Sequence, residues 1–427
     1  MHGYAGGSTG QLDYSYSFET VSDPAATLKR KLATFYWMQL LALAAVHFIV
    51  DLFAGMPPAI LPAILDGFGW TLSRGVFVLV ALYLTCNGVQ VLTGHVRSDK
   101  RQPLLLHLGL LLSACICLIG ILPRGTGGFG TMVFLAIISG LGIAVVHPEG
   151  LRAVHRLKRI PPAVSTAVFM AGGFLGYASG GGISALLVDR YGFAGLYPLI
   201  ICSLVGIAAV ILLKIKLAVE PKVANNRMPH TPGACRLPFW FIFAMAMPAA
   251  VSTTILSSLL PTVLVNELGF GLAFGGYSTM MFGLGGAAGS FFWAYAARKK
   301  NELACTIAAL LLAIPFLFVY LVLIRQGAAI YLLLGAGFCT ISAYTLMITL
   351  SRHATGPTLG QRMGVIVGGT WALAYIIFMV LLHAAESFDI GIQAIMNLTP
   401  WGYLLSGIFG LYIMLKARRP APTISTV

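Results

Sequence analysis

Residues 29–65 read KRKLATFYWMQLLALAAVHFIVDLFAGMPPAILPAIL, in which three cations precede a long and almost unbroken apolar run. Apolar runs of about twenty residues are typical of membrane-spanning helices, because a helix satisfies its own backbone hydrogen bonds in lipid. This run is longer than one crossing requires and contains Pro57, Pro58 and Pro62. We therefore predict a first span over residues 33–65, with a kink or a break in its outer part.

Similar apolar runs recur along the whole chain. They predict eleven further spans, at residues 74–94, 103–122, 130–147, 162–188, 193–213, 237–260, 272–296, 303–324, 328–350, 363–383 and 392–415. The composition agrees, since 58% of the 427 residues are hydrophobic and 9% are charged, whereas soluble domains are about 25% charged. The predicted fold class is an all-α membrane protein, with twelve transmembrane helices in two six-helix bundles.

The cations are distributed unevenly between the gaps. The chain has 27 Lys and Arg residues. Of the segments between predicted spans, every second one is poor in cations, and together these segments hold only Arg74, Arg124, Arg190 and Arg325. Loops rich in Lys and Arg stay in the cytoplasm, so we predict a multi-pass protein of the cell (inner) membrane with both termini cytoplasmic. The net charge of +14 is scattered over many short loops, so we expect contact with anionic lipid heads and no nucleic-acid partner.

The spacing of the spans divides the chain into five parts. These are a cytoplasmic tail (1–32), a six-helix bundle (33–213), a cytoplasmic linker (214–236), a second six-helix bundle (237–415) and a second cytoplasmic tail (416–427). Two bundles joined by a longer linker are the organisation of a secondary transporter. The seven Cys residues show no C-x-x-C spacing. We therefore expect no disulfide framework and no metal site.

Ionisable residues are rare within the runs, and each is a functional hypothesis because a charge in lipid is costly. Asp51 is the only acid well inside a span, and no Lys or Arg lies deep in one. His47 precedes Asp51 by four positions, so the two share a helix face and can form a charge-assisted pair. Such a pair can hold and pass a proton. The alternative is a buried pair that fixes helix packing.

Residues 140–150, GLGIAVVHPEG, provide a second candidate site at the inner end of the fourth span. Pro148 disfavours helix at His147 and removes a backbone donor, so we expect the helix to end or bend there. His147 and Glu149 would then form a cytoplasmic-side gate or a second proton site. The alternative is a helix end at which Glu149 pairs with Arg152 or Arg156.

Two spans carry glycines four residues apart. Gly172, Gly176 and Gly180 in the fifth span allow close helix approach in lipid, and a hinge for alternating access is the second possibility. Gly364 and Gly368 in the eleventh span are similar.

Other polar and aromatic residues are candidates for a cavity lining. Each is equally well explained by a helix–helix hydrogen bond or by packing. They are Gln39, Asn87, Gln90, Tyr344 and Trp371.

Three stretches of the chain resemble the major facilitator superfamily, and within it the fosmidomycin-resistance type of drug exporter. They are His47-Phe-x-x-Asp51, the loop with Gly94, Asp99, Lys100 and Arg101, and Gly140-x-Gly142 through His147-Pro148-Glu149 with the Ser165-to-Gly176 stretch after it. Two positions depart from the superfamily's patterns. Ser98 stands where the loop motif has Asp, and Gly180-Gly181 stands where antiporters often have Gly-Pro.

The resemblance implies a proton-driven exporter of a small drug or metabolite that works by alternating access. Asp51, assisted by His47, is then the main protonation site. The loop from Gly94 to Arg101 is implied to lock the outward-open state through ion pairs with the loop between the fourth and fifth spans. We expect a monomer whose partners are a small-molecule substrate, protons and the bilayer. No cofactor is expected, because a proton gradient supplies the energy.

Two other functions remain open. One is a facilitator or importer of a small metabolite. The more distant one is a polytopic sensor or membrane enzyme, although the loops carry no cluster of catalytic residues. Since no fixed cation lies in the spans, a neutral, amphipathic or cationic substrate is the natural expectation.

Overall fold

The computed structural model describes residues 24–93, 101–123, 125–219 and 237–417. The predicted loop residues Gly94, Asp99 and Lys100 lie outside this range, as do most of both tails and most of the linker. The predictions for those parts therefore stay predictions.

Helices make up nearly all of the described chain. The α-helices are α1 (Pro24–Phe68), α2 (Leu72–Thr93), α3 (Leu104–Ser113), α4 (Phe129–His155), α5 (Pro162–Tyr191), α6 (Ile200–Leu212), α7 (Phe239–Thr262), α8 (Leu272–Lys299), α9 (Glu302–Val322), α10 (Leu332–His353), α11 (Leu359–Gly364), α12 (Thr370–Ser387), α13 (Ile392–Met396) and α14 (Thr399–Ala417).

Several predicted spans combine two kinds of helix. The 3₁₀ segment Ala114–Ile121 continues α3, Gly192–Leu199 precedes α6, and Gly327–Tyr331 precedes α10. The π-helical turns Val263–Glu267 and Val365–Gly369 follow α7 and α11. Such turns inside membrane helices often occur at functional sites, and the second one contains Gly368.

Ten helical segments of the described residues are long and apolar enough to cross a membrane. One of them, residues 164–212, is 49 residues long and covers most of both the fifth and the sixth predicted spans. The eighth predicted span corresponds to α8, which is 28 residues long. It is not among the ten, because its many glycines and hydroxyl groups lower its hydropathy. The helices therefore match the predicted all-α membrane architecture.

Proline does not interrupt the helices at the two places where the sequence predicted a break. α1 continues through its three internal prolines, and α4 continues past Pro148 to His155. Membrane helices tolerate proline because neighbouring groups satisfy the freed carbonyl oxygens. Of the predicted end or bend at His147, the end is wrong, because His147 lies within one helix that runs from Phe129 to His155.

The helices begin and end at two opposite ends of the molecule. The amide of Leu217 donates to Arg101 O (2.9 Å), and the amide of Ala218 donates to Arg152 O (3.1 Å), so the segment after α6 contacts the residues beside α3 and the end of α4. We call this the cation-rich end, after its basic residues Arg101, Arg152, Arg298, Lys299, Lys300, Arg352 and Lys416. At the opposite end, Trp70 Nε1 donates to Gly125 O at 3.1 Å.

α1 and α5 pack closely because glycine removes the side chains between them. An added Cβ on α5 would lie within 2.2 Å of an α1 carbonyl oxygen at Gly172, Gly176 and Gly180, the oxygens being those of Ala44, Phe48 and Leu52. Both series advance by four residues, so one helical face meets another and the two helices run in the same direction. This contact fixes the part of α1 that carries His47 and Asp51.

The two halves of the chain meet along several helix pairs, among them α5 with α8 and α2 with α12. In the first pair, a Cβ at Gly276 would lie 2.6 Å from Gly181 O. In the second pair, the rings of Tyr83 and Tyr375 stack with their centroids 4.6 Å apart. Tyr83 also donates to Ala54 O at 2.6 Å, which connects this interface to α1 one turn beyond Asp51.

Candidate functional site

Three ionisable side chains from two helices meet inside the first half of the molecule. Asp51 Oδ2 lies 3.2 Å from His47 Nε2 on the same helix, and Asp51 Oδ1 lies 3.0 Å from His147 Nε2 on α4. The i, i+4 spacing on α1 produces the first contact, as the sequence predicts. The second contact joins residues 96 positions apart. We call His47, Asp51 and His147 the His–Asp–His triad.

Backbone carbonyl oxygens fix the orientation of both imidazole rings. His47 Nδ1 lies 2.8 Å from Phe169 O, and His147 Nδ1 lies 2.8 Å from Ile143 O. A carbonyl oxygen can only accept a hydrogen bond, so each Nδ1 carries a proton and donates it. Each Nε2 then points at a carboxylate oxygen of Asp51.

The two Nε2–carboxylate contacts require protons between their atoms. A neutral imidazole protonated at Nδ1 has a lone pair at Nε2, and at 3.0–3.2 Å this lone pair would face the lone pairs of a carboxylate oxygen. One shared proton satisfies one contact, and two protons satisfy both. The arrangement can therefore hold one or two exchangeable protons among three side chains.

The triad is enclosed on one side and accessible on the other. His47 has 3% of its side chain exposed, Asp51 has 16% and His147 has 25%. The ring of Phe169 stacks on His47 with centroids 4.2 Å apart. A Cβ at Gly173 would lie 2.5 Å from His47 Nε2 and 2.6 Å from Asp51 Oδ2, so glycine is needed there. Asp51 and His147 are the members of the triad with exposed surface.

Glu149 does not join His147, although the two residues were predicted to act together. Its carboxylate accepts from Arg152 Nη1 at 2.7 Å, and both side chains are buried. Arg152 Nη2 also donates to Ala218 O at 2.8 Å. The continuous α4 helix explains the separation, since residues two apart on a helix do not face the same way. The pair is the alternative that the sequence left open for Glu149, and it buries a cation near the cation-rich end.

The other predicted site residues that the structure describes form hydrogen bonds that do not involve the triad. Arg101 is exposed, and its carbonyl accepts from Leu217. Gln39 donates to Leu213 O at 2.9 Å, at the end of α6. Asn87 donates to Tyr83 O at 2.8 Å and Gln90 to Cys86 Sγ at 3.3 Å, both within α2.

The eleventh predicted span places its candidates in the interface between the halves. A Cβ at Gly368 would lie 2.4 Å from Asn87 O, and one at Gly364 would lie 3.4 Å from Val91 Cγ1. Tyr344 donates to Ile366 O in the π-helical turn, and its ring is 4.6 Å from that of Trp371.

Sequence reasoning missed three features of this site. Arg152 was assigned to a loop, whereas it is a buried residue of α4. Phe169 and Gly173 stand in the quoted Ser165-to-Gly176 stretch, but nothing in their spacing shows that they touch His47. The tyrosine pair Tyr83 and Tyr375 gave no signal, because each is one aromatic residue in an apolar run.

Comparisons with known proteins agree with this architecture. A family model described as Major Facilitator Superfamily matches residues 43–379. The fosmidomycin resistance protein of Escherichia coli (strain K12) is 23% identical over 167 residues, 39% of this chain and 40% of that protein. The uncharacterized MFS-type transporter YfnC of Bacillus subtilis (strain 168) is 25% identical over 176 residues, 40% of this chain and 42% of that protein. The matched region is about two fifths of the length of these relatives.

Solved structures share the fold over almost the whole chain. A bacterial homolog of the human lysosomal transporter Spinster, inward-facing and occupied, aligns with a TM-score of 0.65 and 13% identity, over 90% of this chain and 98% of that one. A peptide transporter POT in complex with sulfate aligns with a TM-score of 0.65 and 12% identity, over 88% and 94%. The match to the family model points to a transporter rather than an enzyme. The family model extends from α1 through most of α12, in both halves of the molecule, and on that basis the chain belongs to the Major Facilitator Superfamily.

Proposed function

We propose that this chain is a proton-coupled secondary transporter, an antiporter that exports a small drug or metabolite by alternating access. The observation that carries the proposal is the His–Asp–His triad, which offers three proton-binding groups inside a membrane helix bundle. Ionisable groups in such positions are costly and mark ion pathways. Both termini are proposed to be cytoplasmic, since the cations support that orientation.

The triad can couple proton binding to movement of the halves. Asp51 lies one turn from Ala54, whose carbonyl accepts from Tyr83, and Tyr83 stacks on Tyr375 of the second half. A change in the charge of Asp51 therefore acts close to a contact that alternating access has to rearrange. A ligand or proton shifts such an equilibrium only through different affinity for the two states.

Proton-linked efflux tests the proposal. Everted membrane vesicles containing the full chain are energised, and a pH-sensitive dye reports proton release when fosmidomycin, ethidium or another compound of a growth-inhibition panel is added. We expect release with at least one compound, and its loss in Asp51→Asn at equal protein levels. His383→Gln is the matched control, because His383 is exposed on α12. Undiminished release in Asp51→Asn would refute the triad as the coupling site.

A facilitator or importer is distinguished by the same vesicles. A facilitator or importer would be favoured if the active compound moved down its own gradient at a rate that stays unchanged when the proton gradient is collapsed. Proton release with saturable efflux would favour the exporter.

A further inference from the structure

The His–Asp–His triad has the donor atoms of a transition-metal site. His47, Asp51 and His147 each offer one ligand atom, and these atoms all lie within 4.8 Å of one another. Two imidazole nitrogens and one carboxylate oxygen are a ligand set that Zn²⁺ uses in proteins, with further positions left for water or substrate. Imidazole nitrogen also suits Ni²⁺, Co²⁺ and Cu²⁺, whereas Mg²⁺ and Ca²⁺ prefer oxygen.

The hydrogen bonds around the triad are those of metal-binding histidines. Such a histidine coordinates through one nitrogen and donates its other N–H to a carbonyl or carboxylate. Here both Nδ1 atoms face carbonyl oxygens at 2.8 Å, and both Nε2 atoms face Asp51. Ligands at about 2.0–2.1 Å from an ion lie roughly 3.0–3.4 Å from one another. The observed Nε2–oxygen distances are 3.2 Å from His47 to Oδ2 and 3.0 Å from His147 to Oδ1. Because these are different oxygens, an ion would take both carboxylate oxygens or draw the three side chains closer together.

The exchange of protons for a metal ion leaves the buried charge unchanged. With two protons shared among the triad, the two imidazoles and the carboxylate have a net charge of +1. A divalent ion that replaces both protons also leaves +1, since the imidazoles are then neutral and Asp51 is ionised. No counter-ion is needed, which removes the main cost of placing a dication in a membrane protein.

We propose that the His–Asp–His triad binds one divalent transition-metal ion, with Zn²⁺ as the test ion, through His47 Nε2, His147 Nε2 and Asp51. Binding displaces the protons held between these atoms. Asp51 and His147 are the ligands with exposed surface, 16% and 25% of their side chains. The site does not depend on the proposed function, but it uses the same atoms, so a bound ion blocks proton coupling.

Equilibrium binding to the purified full chain, with any affinity tag removed, tests this. A chromophoric chelator competes for Zn²⁺, and a pH indicator in weak buffer counts the protons released. We expect one Zn²⁺ to bind per chain and up to two protons to be released. Where two protons are displaced, the Zn²⁺ affinity should fall by as much as about 100-fold for each unit by which the pH is lowered. Mg²⁺ at the same concentration does not compete.

Variants locate the ion. Asp51→Asn and His147→Gln are expected to lower the affinity at least tenfold, as measured on samples with unchanged elution volume and melting temperature. His383→Gln and Cys86→Ser are the matched controls and retain it. Co²⁺ gives a second readout, because a site of nitrogen and oxygen ligands lacks the thiolate-to-cobalt charge-transfer band that a cysteine site would show.

Two results would overturn the proposal. One is the absence of stoichiometric Zn²⁺ or Co²⁺ binding by the folded wild-type chain. The other is binding that persists in Asp51→Asn and His147→Gln, or that shows the thiolate band. Because no transport is required, a failure here leaves proton-linked efflux to be judged by its own assay. Failure of efflux with intact Zn²⁺ binding would refute only the proposed function.

Discussion

His147 Nε2 lies 3.0 Å from Asp51 Oδ1, although the two residues are 96 positions apart and belong to α4 and α1. The contact turns an intrahelical pair into a link between two helices. Any change in the number of protons at Asp51 therefore alters the attraction between α1 and α4. We therefore expect protonation of the triad to affect the packing of α1 against α4.

The two histidines are expected to differ in their effect on stability. His47 is buried and stacked on Phe169, whereas His147 keeps a quarter of its side chain exposed. We expect His47→Ala to destabilise the protein by about 1–3 kcal/mol, through lost packing and an unsatisfied carbonyl. His147→Ala should cost less while removing proton release equally. Melting of the purified variants compares them, and a larger loss for His147→Ala would contradict the burial argument.

Gly173→Ala is expected to disturb the triad directly. The added Cβ would enter the space of His47 Nε2 and Asp51 Oδ2, and overpacking of this kind costs about 1–3 kcal/mol. Proton release and Zn²⁺ affinity should both fall. Gly88→Ala on α2 is the matched control, because a Cβ there meets nothing within 4 Å. Equal behaviour of the two variants would show that Gly173 has no role in shaping the site.

Gly176→Ala is expected to reduce stability through helix packing. Its Cβ would lie 2.2 Å from Phe48 O, so α1 and α5 would have to separate. The expected loss is about 1–3 kcal/mol, measured as a lower melting temperature than that of Gly88→Ala. Because the same contact fixes the part of α1 that carries His47 and Asp51, Zn²⁺ affinity should fall as well. An unchanged melting temperature would mean that the helices can move apart at no cost.

Breaking the Glu149–Arg152 pair is expected to be costly for the fold. Removing one partner of a buried ion pair typically costs about 3–5 kcal/mol, so Glu149→Gln and Arg152→Met should each melt at lower temperature. The double variant should recover part of the loss, since no single buried charge remains. Additive losses would show that the two charges do not interact, and the interaction energy is read from the double-mutant cycle.

The sequence predicted the architecture of this chain better than its site. Apolar runs were sufficient for the spans, because hydropathy depends on composition. The i, i+4 spacing was sufficient to predict the contact between His47 and Asp51. His147 was assigned to the wrong partner, because proline rules from soluble proteins predicted a helix end at Pro148. Arg152 was assigned to the loop for the same reason. Which residue touches which across α1, α4 and α5 depends on packing, and that has no local signal.

The protonation of the triad is tested most directly by nitrogen NMR of the full chain labelled at its nine histidines. His47→Gln and His147→Gln assign the signals. We expect both rings to carry a proton at Nδ1, and at least one Nε2 signal to show a proton shared with Asp51, which Asp51→Asn removes. Rings protonated only at Nε2, or signals that Asp51→Asn leaves unchanged, would contradict it.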